Sequence, residues 1–264
     1  MSSLVTRNSW KISYHVWQAL FLREAVARIS ADRVAWLWLL AEPIAHVALM
    51  VWIRTLIGRI RLVPGADYIP WLVLGITLFI MFRNQMTRGM EAINANRGLF
   101  AYRQVHPADT VLVRCFLEGV LSTIVIILMI FGFTLLGHNV IPFHPLHALS
   151  IWGLVLAFGT GIALVFSVVA TTLPEATKFI RMIMFPLYFL SGVMLPVQYF
   201  PHELQQYLLY NPMLHAVELF RLGFFENYRP VNGISLLYLS YWVWGSLCFG
   251  LLLQVRYKVR LMAQ

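Results

Sequence analysis

Six apolar runs constrain this sequence more than any other feature in it. A helix needs roughly 20 apolar residues to cross about 30 Å of hydrocarbon. The runs fall at Val34–Ile53, Tyr68–Phe82 with an extension towards Met90, Val111–Leu136, Leu149–Thr171, Phe179–Leu195 and Ile234–Val255. The third, fourth and sixth are long and uninterrupted; the second and fifth are short. Hydrophobic residues make up 60% of the 264 and charged residues 12%, against about 25% charged in an ordinary soluble domain. A water-soluble fold of this length has no interior large enough for so much apolar surface. The expected fold class is therefore all-α. It is a polytopic membrane protein with six transmembrane helices, an N-terminal amphipathic interfacial helix and short re-entrant helices before the last span.

Charge orients the spans. The chain carries 20 Lys and Arg and a formal net charge of +9. All but Arg54, Arg59, Arg61, Arg221 and Arg229 lie on the N-terminal arm, residues 83–110, the 172–178 turn, the tail, or their flanks. Basic residues gather on cytoplasmic loops, so both termini are expected inside. These charges flank apolar runs and form no single basic face, which argues for a membrane surface and against nucleic acid.

Residues 11–30 read as the interfacial helix, with Ile12, Val16 and Leu20 recurring every four residues beside Trp17 and Phe21. The six-span bundle then occupies 34–255. Prolines 196, 201, 212 and 230 divide the longest outer segment. Its pieces Leu204–Tyr210 and Met213–Phe225 are apolar but too short to span, so they are expected to be re-entrant or interfacial. With no repeat, linker or low-complexity tract, residues 1–264 read as one transmembrane domain. No short apolar core with a small-residue cleavage site opens the chain, so the first span is expected to stay in the mature protein. Cys115 and Cys248 both sit in or near apolar runs and read as buried thiols, not a disulfide.

Several chemistries are missing from the sequence. It has no Gly-x-x-x-x-Gly-Lys-Ser/Thr loop, and none of Lys11, Lys178 and Lys258 follows a glycine. ATP hydrolysis on that loop is therefore excluded for this chain. His-Glu-x-x-His, Cys-x-x-Cys and Gly-x-Ser-x-Gly are absent too. His138, His144 and His147 cluster in an outer loop but read as solvated, so no metal site is expected.

What remains is a set of candidate residues. Glu42 precedes Pro43 inside the first span, and His46 follows one turn later. A carboxylate at membrane depth is costly and must face a cavity, a partner helix or another polar group. Pro43 is expected to kink or break that helix. Glu42 and His46 thus read as pathway or gating elements, or as an inter-helix hydrogen bond. Between Glu91 and Thr110 the chain is polar and Arg-rich, with Leu99, Phe100 and Tyr102 standing among charges. Apolar anchors rimmed by charge suit docking onto a soluble partner; the alternative is that they dip into lipid headgroups. Trp10, Trp17, Trp36, Trp38, Tyr68 and Trp71 fit interfacial belts. Tyr188, Tyr199 and Tyr207 are candidates for aromatic faces over which sugar rings slide, or else belt and packing residues.

Four stretches carry a family resemblance. They are A-L-F-L-R-E at 19–24 with L-W-L-L-A-E-P-I-A-H at 37–46, N-R-G-L-F-A-Y-R-Q-V-H-P-A-D-T at 96–110, F-P-L-Y-F-L-S-G-V-M-L-P at 185–196, and Y-L-L-Y-N-P-M-L-H-A-V-E-L-F-R at 207–221. On these the chain resembles the membrane subunit of group 2 capsular-polysaccharide ABC exporters, the KpsM family of type-2 ABC permeases.

The resemblance implies a bacterial inner membrane location and two copies of this subunit around one pathway. It also implies two copies of a cytoplasmic ATPase beneath, which alone would use ATP and Mg²⁺, and a periplasmic or outer-membrane export apparatus. This chain would bind no cofactor. Leu99, Phe100, Tyr102 and Arg103 match the family's coupling region, and Pro174 and Glu175 a second ATPase contact. The segment 196–225 resembles helices that close the pathway outside. The substrate would be a long, often acidic, lipid-linked glycan, which Arg54, Arg59 and Arg61 would attract. An exporter of O-antigen or teichoic acid would share this architecture. A polytopic glycosyl- or acyltransferase would need a cluster of acids or histidines at the membrane surface, and no convincing set is present.

Overall fold

The structure is a computed structural model. It describes all residues except 1–8, 31–34, 58–62, 64, 103 and 263–264, together with, inside helices, the side chains of 9–12, 29–30, 35–36, 54 and 57. The described residues form ten α-helices and two short 3-10 turns, and no strand. The helices are α1 (Ser9–Ser30), α2 (Ala35–Ile57), α3 (Tyr68–Met90), α4 (Ala92–Ala95), α5 (Pro107–Leu135), α6 (Pro145–Thr172), α7 (Ala176–Leu190), α8 (His202–Leu208), α9 (Pro212–Leu222) and α10 (Leu236–Met262). The 3-10 turns are Arg97–Ala101 and Val197–Tyr199.

Among the described residues, four helices are long and apolar enough to cross a bilayer: α3, α5, α6 and α10. The apolar part of α2, Leu37–Ile53, is shorter. At 15 residues, α7 rises about 22 Å, less than the hydrocarbon thickness. Proline does not end α2, which runs unbroken through Pro43. The expected break is absent.

α3 is the hub. Nearly all its side chains from Pro70 to Met90 are buried, because α2, α5, α6 and α9 surround it. Where helices cross, small residues let the backbones close in, as membrane helices require in the absence of a hydrophobic drive between them. A Cβ on Gly161 of α6 would stand 2.8 Å from the Leu247 backbone nitrogen of α10. One on Gly250 of α10 would stand 3.0 Å from the Gly161 carbonyl. Gln254 ties the same two helices, donating to the Leu164 carbonyl at 3.1 Å and the Ser167 hydroxyl at 2.7 Å.

By contrast α7 lies at the surface, with Phe179, Met182, Ile183 and Phe185 exposed. The segment between α7 and α10, read as outer from the sequence, splits in two. No residue of α8 is buried, whereas Met213–Arg221 of α9 are all buried. Cys115 is buried as expected, but Cys248 is exposed on α10; both are free thiols.

Candidate functional site: a charged clasp and a sealed cluster

Two charged assemblies organise the described bundle. The first joins α1 to the start of α5 and to the segment that links α3 to α5. Pro107 opens α5, where its missing N–H costs nothing, and Asp109 closes the turn by accepting the His106 backbone N–H at 3.2 Å. α1 lies alongside. Its Trp17 indole donates to Asp109 at 3.0 Å.

Farther along, Glu24 faces Arg114. The guanidinium donates from Nε to Oε2 at 3.0 Å and from Nη2 to Oε1 and Oε2 at 2.9 and 2.7 Å. One turn on, the polarity reverses. Arg28 donates to Glu118 at 3.2 Å, and Arg88 of α3 reaches the same oxygen at 3.1 Å. Both carboxylates are buried, Glu24 at 8% and Glu118 at 2% exposure. α1 thus presents Glu-x-x-x-Arg to an Arg-x-x-x-Glu on α5, so equivalent helix turns match in register.

The stripe Val16, Leu20 of this interfacial helix faces the contact with the rest of the chain. Leu20 is buried in a cluster with Ile93, Phe100, Val105 and Val111, while Tyr14, Leu22 and Val26 remain exposed.

The linking segment between α3 and α5 corrects one expectation. Phe100 is 7% exposed and buried in that same cluster, so it is no exposed anchor. Leu99 is half-buried against the cluster, and Tyr102 is 66% exposed. Pro174 and Glu175 are exposed in the turn between α6 and α7. Arg103 lies outside the described residues.

Of the pathway candidates, Glu42 pairs with Arg83 of α3, satisfying the carboxylate between helices. One turn along α2, His46 meets the Tyr188 hydroxyl at 2.9 Å. Tyr188 is buried, with Phe79 packed edge-on at 5.1 Å. Three candidates therefore converge where α2, α3 and α7 meet. Tyr199 and Tyr207 do not join them and lie exposed on the segment between α7 and α10. Arg59, Arg61 and the Arg54 side chain lie outside the described residues.

The second assembly was missed from sequence, where Arg221 read as an outer-loop charge and Trp71 as a belt residue. Both are fully buried. Arg221 donates to the Trp71, Gly192 and Val193 carbonyls at 3.2, 2.9 and 3.1 Å and to Glu218 at 3.2 Å. Its guanidinium carbon stacks 3.4 Å above the Trp71 ring, a cation–π contact. Tyr228 donates to both Glu218 oxygens at 3.0 Å and accepts from the Trp71 indole at 3.0 Å. Burial, then the adjacent Glu218 carboxylate, pushes the Tyr228 hydroxyl up to about 12, so it stays a donor at neutral pH.

Gly75 makes room for this packing, since a Cβ there would fall 2.4 Å from Arg221 Nη2. The cluster fastens α9, the end of α7 and the start of α3 to one another. A signal was available: Glu218 and Arg221 stand three residues apart inside an apolar stretch, where charges must find partners.

Neither assembly holds a catalytic set. Among the described residues no three His, Cys, Asp or Glu side chains gather as metal ligands. The clasp and cluster are devices that fix helices against one another.

Comparison with known proteins gives the architecture a family. Residues 15–225, from α1 through α9, match the ABC-2 type transporter family. The chain belongs to that family. It is 34% identical over 249 residues to the polysialic acid transport protein KpsM of Escherichia coli, covering 94% of this chain and 96% of that relative. It is 31% identical over 216 residues to the capsule polysaccharide export inner-membrane protein CtrC of Neisseria meningitidis serogroup A, covering 82% and 81%. It is also 29% identical over 221 residues to the capsule polysaccharide export inner-membrane protein BexB of Haemophilus influenzae, covering 84% and 83%. In this ABC-2 chain the residues named in both charged assemblies, Tyr228 apart, fall inside the matched residues.

Proposed function

We propose that this chain is the membrane subunit of an ATP-driven exporter that carries capsular polysaccharide across the bacterial inner membrane. The near-full-length similarity to proteins named for polysialic acid transport and capsule polysaccharide export carries the proposal. The chain is non-catalytic. With no phosphate loop in its sequence, ATP and Mg²⁺ belong to a separate cytoplasmic ATPase, two copies of which serve two copies of this subunit.

In this reading α2 and α7 complete a set of six spans with α3, α5, α6 and α10, within a single transmembrane domain. Both termini lie in the cytoplasm. The exposed Tyr102, with Leu99 and Arg103, and the 174–175 turn receive the ATPase. Glu42, His46 and Tyr188 lie along the glycan path. Tyr199 and Tyr207 stand at its outer end, where Arg54, Arg59 and Arg61 attract an acidic polymer bound for an outer export apparatus. Work is done by alternating between two states of the bundle, biased by ATP binding on the partner.

The deciding experiment locates the glycan in a strain lacking only this chain, by cell fractionation with a glycan-specific probe. Polymer held in the cytoplasm, and export restored by complementation, is the expected result. Loss of synthesis would replace the proposal with a membrane transferase, and unaltered surface polymer would reject the substrate class.

A further inference from the structure

The segment between α3 and α5 is attached to α1 by a contact with an unusual property. Asn96 is 2% exposed and sits between α4 and the 3-10 turn Arg97–Ala101. Its Nδ2 donates both to Glu24 at 2.9 Å and to the Ala92 carbonyl at 2.8 Å. Its Oδ1 is buried with no partner among the described atoms. Glu24 is the carboxylate that Arg114 of α5 grips with two nitrogens. One acid side chain thus holds two separate elements, the linking segment and α5, against α1.

We infer that Glu24 and Asn96 form a mechanical joint: they transmit displacement of the 91–102 segment to α1 and to the foot of α5, and so couple ATPase motion to glycan movement. The inference rests on the exporter reading above. The exposed Tyr102 is six residues from Asn96, while Phe100 roots the same turn in the cluster that holds Leu20 and Val111. A push on the exposed edge therefore meets a rigid inner edge.

The onward route is the register described above. Glu24–Arg114 and, one turn later, Arg28–Glu118–Arg88 tie α1, α5 and α3. Buried side-chain amides and carboxylates suit this task because their hydrogen bonds are directional and costly to leave unmade. Hydrophobic contacts alone would let the segment slide. Glu24, Asn96 and Arg114 are positioning residues and touch no substrate.

The register also supplies a way to test the joint apart from folding. Asn96→Leu removes the tie to Glu24 but leaves both α1–α5 ion pairs in place. Glu24→Arg breaks the clasp, and adding Arg114→Glu rebuilds it with reversed polarity. Because Asn96 faces position 24 with Nδ2, its amide must turn over to offer the unpartnered Oδ1 to an arginine there, giving up the bond to the Ala92 carbonyl; with that turn the joint is rebuilt as well.

The experiment uses the full chain with its ATPase in liposomes, measuring glycan transported and ATP hydrolysed together. Asn96→Leu is expected to assemble with the ATPase and to hydrolyse ATP, yet to move about tenfold less glycan per ATP, within the range of ordinary coupling free energies. Glu24→Arg should lose transport per ATP, and the double variant should recover most of it. A purely structural role would lower the amount of assembled complex and leave the ratio unchanged. Wild-type glycan per ATP in Asn96→Leu, or no recovery in the double variant, overturns the inference. Absence of glycan transport by the wild-type complex overturns the exporter reading instead.

Discussion

The Arg221–Glu218 cluster and the clasp at α1 use the same ions in opposite ways. In the first, Arg221 and Glu218 are fully buried, and three backbone carbonyls, a tyrosine and an indole complete their shells. In the second, the carboxylates are buried but their arginines reach outwards, Arg88 with 42% of its side chain exposed and Arg28 with 18%. An ion pair sealed from water is weak evidence of net stability, because desolvation offsets attraction, but breaking it is expensive. One whose cations alone reach water costs less to break than a fully sealed pair, while its buried carboxylates keep it harder to break than a surface pair. The Arg221 cluster is sealed on every side, whereas the clasp is sealed on its carboxylate side only.

The sharpest test of that contrast is Arg221→Ala. It strands the Glu218 carboxylate in a dry site without its cation and takes the Arg221 donors from three carbonyls, an expected loss of about 3–5 kcal/mol. Thermal unfolding in detergent should show it, and so should the amount of folded protein in membranes. A variant as stable as wild type would mean that the site admits water, and the contrast would collapse.

Next in size comes a comparison within one turn. Phe100→Ala empties a buried site and should cost about 3 kcal/mol. Tyr102→Ala removes an exposed ring, so its unfolding midpoint should barely move. Pull-down of the ATPase by the Tyr102 variant should nevertheless fall, and equal ATPase binding would remove Tyr102 from the docking surface.

That pair also marks the limit of what the sequence discloses. Phe100 and Tyr102 look alike there, two aromatics among charges. Only the approach of α1 and α5 decides that one is covered. The long helices were legible because apolar length is a local property: α3 covers the predicted Tyr68–Phe82 together with its extension to Met90, and α5, α6 and α10 differ from their runs mainly by extra end turns. The clasp was not legible, since Glu24–Arg114 and Arg28–Glu118 each bridge 90 residues, and no local pattern announces such a pairing. Glu218 and Arg221 lie between these cases. Their spacing is local, but their burial depends on Gly75, Trp71 and the end of α7.

A smaller effect is expected at the clasp. Arg28→Ala removes the hydrogen-bond donor to Glu118 and leaves the Arg88 ion pair in place. The cost should be about 1–2 kcal/mol, the range for a hydrogen bond to a charged group. It should shrink at high salt as the remaining partly exposed pair is screened. Unfolding midpoints of wild type and variant at low and high salt measure this directly. A loss as large as that of Arg221→Ala would show that the clasp is as sealed as the Arg221 cluster.

The smallest effect belongs to Arg181, whose pairing with Glu91 joins the start of α7 to the end of α3. Both side chains are about half exposed, at 55% and 47%, so water competes for each ion and two long side chains lose freedom in pairing. Exposed pairs of this kind contribute about 0–1 kcal/mol. Arg181→Gln should therefore leave the unfolding midpoint within error of wild type. α7 otherwise packs mainly through Ile180, Met184 and Tyr188, its buried residues. A shift comparable to that of Arg28→Ala would mean that this surface pair, and not the apolar face, sets where the start of α7 sits. The division between sealed ions that hold the fold and open ions that move would then need a third class, open ions that hold.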